Sequence, residues 1–134
     1  MYCKGGERLK AFYIPLAILI SILLFSLITG AYVQQCTQEW NSTLEACDEF
    51  LQQDQWENSE TLLREALNDW EKRATLFHMF LDHEALENID LLFSGAFAAC
   101  RQQERSDLQI FLYQLKSQFL FLADTQRTTL KNIL

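Results

Sequence analysis

Two histidines, a run of acids and an asparagine fall within one short stretch of this chain: His78, Asp82, His83, Glu84, Glu87, Asn88 and Asp90. On a helix, His78 and Asp82 form an i,i+4 pair, and His83, Glu87 and Asp90 share one face over two turns. Imidazole and carboxylate ligands so placed suit zinc or iron. The zincin order H-E-x-x-H is absent, however, and no second matching motif supplies the other half of a di-metal bundle site. Acids at a helix start also have a plainer role, since they favour the positive end of the helix dipole. The stretch therefore reads first as a structural cap and polar corner, next as a partner contact, and only then as a metal site. No serine sits in a recognisable nucleophile elbow, and nothing in the sequence requires a cofactor. The expectation is a protein that is not an enzyme.

The elements that position this stretch are helical throughout. Gly5, Gly6, Gly30 and Gly95 are the only glycines and Pro15 the only proline, and neither turn clusters nor period-two alternation mark a strand. Residues 11–33 carry no charge. At about 1.5 Å per residue they reach roughly 34 Å, enough for a hydrocarbon core of about 30 Å. Their leucines, isoleucines and phenylalanines favour insertion by roughly 6 kcal/mol at most. Residues 1–10 carry a net +2 and the rest of the chain −9, which makes up the overall −7. The positive-inside rule then places residues 1–10 in the cytoplasm, residues 11–33 across the membrane and residues 34–134 outside. Pro15 is expected near the helix start, where its missing N–H costs least. A cleaved signal peptide ending near Thr29-Gly30-Ala31 is the competing reading, but the apolar run is longer than the usual signal core. An acidic external domain is a poor nucleic-acid binder.

Outside the membrane, Cys36, Trp40, Leu44, Cys47 and Leu51 form one stripe at helical spacing,. Asn41-Ser42-Thr43 matches a glycosylation sequon in a setting too helical to count. Asp54 and Glu57 have the spacing of a capping box, opening a second helix with Trp56, Leu63, Leu67, Trp70, Ala74, Phe77 and Leu81 on one face. Arg64, Asp69, Glu71, Lys72 and Arg73 form its solvated side. Beyond Leu81 the stripe changes phase to Leu86, Ile89, Phe93, Ala96 and Cys100, which predicts a reversal near Asp82 with that residue as N-cap; a kinked continuous helix is the alternative. Residues 102–106 read as a loop with Ser106 as N-cap. A fourth helix follows with Leu108, Phe111, Leu112, Leu115, Phe119 and Leu122 on one side. The domain limits are then 34–124 for an antiparallel bundle of about four helices and 125–134 for a tail whose Leu130, Ile133 and Leu134 invite docking. Its core comprises Trp40, Trp56, Trp70, Phe77, Leu81, Ile89, Phe93, Leu115 and Phe119, with a ligand-binding aromatic box as the sharper reading of the tryptophans.

Up-down connectivity returns residues 82–90 and the tail to the membrane surface, which makes that end the expected working face. Cys3 should be cytoplasmic and reduced. Of the three external cysteines, Cys36 and Cys47 are too far apart on one helix to bridge, and a Cys47–Cys100 bridge is left open.

An N-terminal anchor, D-x-W-E at Asp54–Glu57, Trp70, D-H-E-x-x-x-N-I at Asp82–Ile89 and a terminal L-K-N-I-L occur in this order. Together they resemble domain-of-unknown-function family 4363, small membrane-anchored proteins of Gram-positive, often spore-forming bacteria. In the family pattern a Lys-Ala step commonly follows the first Trp-Glu; here Asn58-Ser59 replaces it, at what reads as an exposed helix start. The family has no established activity, so the resemblance implies no catalytic residues. Its members are often encoded beside another membrane protein, which implies such a partner. The function expected is an accessory or interaction module for a multi-span membrane partner, with self-association allowed. A small-ligand sensor is the alternative, and a metal-binding protein ranks behind it.

Overall fold

The computed structural model describes residues 2–79 and 81–133, the side chains of residues 2–7, 129, 130 and 133 aside. It contains four helices: α1 (Tyr2–Gln52), α2 (Trp56–Phe77), α3 (His83–Arg101) and α4 (Arg105–Ile133). Among the described residues there is no strand. The architecture is the all-α bundle that the stripes predict.

The apolar segment and the first bundle helix are one object. α1 runs unbroken through residues 33 and 34, so no hinge separates them. It has a window apolar enough to cross a membrane, and none of that window is buried in the protein. Pro15 stands well inside α1 and not in its first turn; within a bilayer the backbone carbonyl it leaves unpaired is tolerated when neighbours re-satisfy it.

Consecutive helices are antiparallel. Down α1, Cys47, Trp40 and Cys36 meet Ser59, Asp69 and Arg73 of α2 in turn. α1 packs mainly on α2 and α4, α3 mainly on α4, and the α2–α3 seam is the lightest. Every residue of the α1 and α3 stripes is buried: Cys36, Trp40, Leu44, Cys47 and Leu51 on one, Leu86, Ile89, Phe93, Ala96 and Cys100 on the other. Leu108, Leu112, Leu115, Phe119 and Leu122 of α4 close the core. At its centre Trp40 stands edge-on to Trp70 (centroids 5.4 Å apart, planes at 77°) and lies against Phe119 at 4.9 Å. Such ring pairs contribute about 0.5–1.5 kcal/mol each beyond their burial. Trp56 and Leu81, expected in the core, are only half-buried against it, because each lies at an end of the bundle where fewer helices surround it.

The turns at the end of the bundle far from the apolar segment differ from expectation. Asp54 does not cap α2: its φ is +60°, and the N-cap position is Gln55, without a side-chain cap. The backbone explains this. Gln55 N–H bonds the Phe50 carbonyl and Asp54 N–H the Leu51 carbonyl, a Schellman ending for α1 with Asp54 at its left-handed position. α3 ends the same way, with Gln103 at φ +54° and Glu104 N–H on the Ala99 carbonyl. α4 consequently starts at Arg105, and Ser106 lies inside its first turn and not at its N-cap. Arg105 forms an ion pair with Asp54, tying the two distal turns together.

The remaining expectations concern the tail, Ser59 and the cysteines. α4 continues helically through residues 125–133, read from the sequence as a tail; the docking of Leu130, Ile133 and Leu134 lies outside the described side chains. Ser59 is fully buried, not at an exposed helix start. Its hydroxyl donates to the Cys47 carbonyl at 2.8 Å and the Cys47 thiol donates back to the Ser59 carbonyl at 3.2 Å. Cys36, Cys47 and Cys100 are free thiols, all buried; Cys3 lies outside the described side chains.

Candidate functional site

The predicted working corner is a turn, not a kink. α2 ends at Phe77, His78 carries the C-cap, and Leu81 N–H returns to the Phe77 carbonyl at 2.7 Å. Asp82 adopts an extended backbone (φ −64°, ψ 127°) and its carboxylate accepts from Glu84 N–H at 3.4 Å, as an N-cap should,. His78 and His83 face each other across this turn with their Nδ1 atoms 3.0 Å apart, so one ring donates and the other accepts. Glu87 stands 3.8 Å from the far nitrogen of His83.

The acids of the stretch separate by role. Asp90 is not part of the corner: its carboxylate accepts the indole N–H of buried Trp70 at 2.7 Å. Asp69, which reads as solvated surface, does the same for Trp40 at 2.7 Å. Arg73, likewise read as surface, bonds the Cys36 thiol, pairs with Asp69 at 3.3 Å and lies 5.6 Å over the Tyr32 ring. Asp69, Asp90 and Arg73 are therefore structural. Glu84, Glu87 and Asn88 remain, with exposed side chains on the outer face of α3. Among the described residues no three His, Cys, Asp or Glu side chains converge on a point, so the two imidazoles lack the further ligands that a stable zinc or iron site takes.

What the corner does have is continuity with a groove between α3 and α4. A shallow hollow of about 540 Å³ runs from Asp82 past Glu84, Glu87 and Asn88 to Leu91, Gln118 and Phe121. A second, of about 270 Å³, continues it from Asn88 to Tyr113 and Gln114. Large apolar side chains flank this path in the open: Leu91 is 70% exposed, Tyr113 72% and Phe121 59%. Acids, amides and exposed large apolar side chains thus line one continuous surface. Sequence reading finds Asp82, Glu84, Glu87 and Asn88 but misses Leu91, Tyr113, Gln118 and Phe121. The signal present is that the three apolar ones fall out of phase with the buried stripes, and using it requires knowing that α3 and α4 lie side by side.

Burial pushes Cys47 from 9.0 up to about 11. It also raises Cys100 and Cys36, the latter partly offset by Arg73.

The family model described as Domain of unknown function (DUF4363) matches residues 27–133. No curated protein and no solved structure matches. The match spans the whole bundle and most of the chain, and the chain belongs to this family.

Proposed function

We propose that this DUF4363 protein is a non-enzymatic accessory module. In this reading α1 anchors it with the N-terminus in the cytoplasm, and the bundle stands on the outer side of the membrane. The α3–α4 face is then offered to the external part of a multi-span membrane protein. The observation that carries the reading is the row of exposed Leu91, Tyr113 and Phe121 beside the acid-and-amide groove, which begins at the turn nearest the apolar part of α1. The small-ligand alternative gains no support, because the centre where a ligand would sit is filled by Trp40, Trp70, Phe77 and Phe119. The test is crosslinking in cells, followed by purification from native membranes in mild detergent and mass spectrometry. The expected result is one multi-span protein at comparable stoichiometry, lost in the Leu91→Ala/Tyr113→Ala double variant while the melting curve stays unchanged. Recovery of the chain alone, or only with a second copy, refutes the accessory role.

A further inference from the structure

A groove of about 380 Å³ opens where α1, the α2–α3 turn and the end of α4 meet, walled by Phe25, Thr29, Leu81, Ala85, Phe121 and Leu122. Two of these residues belong to the charge-free part of α1. Counted from Lys10, the last basic residue before that segment, Phe25 lies about 22 Å and Thr29 about 28 Å along a helix rising about 1.5 Å per residue. A hydrocarbon core is about 30 Å thick. An upright α1 thus carries both residues below the outer edge of the hydrocarbon, and any tilt lowers them further. The rest of the base agrees with that depth. Leu76, Met79 and Phe121 are exposed large apolar side chains near this end. α4 passes the level of Leu27, where Arg127 borders a neighbouring hollow; Arg127 and Lys131 are exposed one turn apart, and at this depth their long side chains have to extend along the helix to bring the charges to the headgroups.

From this we infer that the base of the bundle is sunk into the outer leaflet and that this groove holds an acyl chain of an outer-leaflet phospholipid. The inference rests on the reading of α1 as a membrane anchor. Hydrocarbon is the surrounding medium at this depth, and a narrow apolar slot there fills with it as a core cavity fills with side chains. Asp82 and Gln126, also on its walls, supply the polar side that an interfacial position requires.

The full-length protein, reconstituted in nanodiscs of phosphatidylglycerol and phosphatidylethanolamine doped with a phospholipid bearing a diazirine on its acyl chain, provides the test. Adducts are mapped by peptide mass spectrometry after irradiation. The expected result is labelling of residues 81–85 and 121–126 as well as of residues 16–22 of α1. Ala85→Trp, which fills the groove, takes the first two to background and leaves the third unchanged. Thr29→Trp fills it from the α1 side and decides the matter if Ala85→Trp melts early. Undiminished labelling in both variants, or labelling confined to α1, overturns the groove assignment while leaving the anchor in place. Absence of label on residues 16–22 overturns the anchor reading and this one with it. A photoreactive residue at position 29 that captures a protein from native membranes, in place of lipid, assigns the groove to a partner and overturns the proposal.

Discussion

Replacing Asp90 with alanine tests the division of the acids into structural and free. The Asp90 carboxylate accepts the Trp70 indole N–H at 2.7 Å, and Trp70 is fully buried. A hydrogen bond to a charged acceptor contributes about 1.5–3 kcal/mol, and an orphaned buried donor costs about 1–3 kcal/mol. Asp90 itself is exposed, so water reaches the vacated site and the two costs do not add in full; about 2 kcal/mol is expected for Asp90→Ala. For a bundle of this size each kcal/mol moves the melting temperature by about 4–8 °C, which gives a fall of roughly 8–16 °C. Asp90→Asn keeps an acceptor and should lose less than half of that. Glu87→Ala, whose side chain is 68% exposed and 3.8 Å from its nearest partner, should change stability by no more than about 0.5 kcal/mol. Thermal and urea unfolding of the full chain in detergent, followed by circular dichroism, reads all three. A double-mutant cycle with Trp70→Phe should return a coupling of about 1.5 kcal/mol. If Asp90→Ala and Glu87→Ala cost the same, Asp90 is surface charge and the sorting of the stretch by role is wrong.

Three further outcomes follow from the packing. Gln103→Gly should stabilise the protein by about 0.5–1 kcal/mol in urea unfolding, because Gln103 holds φ +54° at a helix end that glycine occupies without a Cβ penalty. Gly95→Ala sets a Cβ 2.5 Å from Phe111 Cε1. Overpacking of about 1–3 kcal/mol then exceeds the roughly 1 kcal/mol gained in helix propensity, and the sign should reverse in a Phe111→Ala background. Cys47 titrates near 9.0 when unfolded and near about 11 when folded. Its contribution is therefore intact below pH 9 and lost as pH rises through 11, up to roughly 3 kcal/mol. The measured loss of stability between those limits should be shallower in Cys47→Ala, and thiol reagents at pH 8 should leave Cys36, Cys47 and Cys100 unmodified until the protein unfolds.

The architecture was legible because each helix buries one face. Cys36 to Leu51 and Leu86 to Cys100 are regular apolar series, and a series at helical spacing states which side faces inward without naming what it meets. The phase jump after Leu81 located the α2–α3 turn for the same reason. The distal turns were illegible because their left-handed positions hold Asp54 and Gln103, where the recognisable signal is glycine. Asp54-x-x-Glu57 then imitates a cap whose backbone it does not have. Ser59 looked exposed because hydroxyl residues usually are; its burial depends on the Cys47 carbonyl on another helix. The roles of Asp69, Arg73 and Asp90 fail in the same way. A carboxylate that accepts an indole N–H across a helix seam has the same local sequence as one that faces water.

On the proposed function, that distinction bears on how the module works. A helical hairpin hung from its anchor by a loop would sample many orientations, and its outer face would reach a partner at many heights. Here the anchor enters the core directly: α1 supplies Val33, Cys36, Trp40, Leu44, Cys47 and Leu51 to it without a break. Trp40 is in turn locked to α2 through Asp69, and Trp70 locks α2 to α3 through Asp90. These two indole–carboxylate links fix the rotation of α2 about α1 and of α3 about α2, which apolar packing alone leaves looser because it is not directional. The orientation of the α3–α4 groove about α1 is thereby set by links between buried indoles and carboxylates on the neighbouring helices. On the proposed function, the exposed Leu91, Tyr113 and Phe121 need no ordering of their own backbone before contact, so the entropy lost on association is confined to side chains and whole-body motion. On the same proposal Asp90, which looked chemical in the sequence, and Asp69, which looked like plain surface, serve recognition indirectly, by holding rigid the helices that carry it.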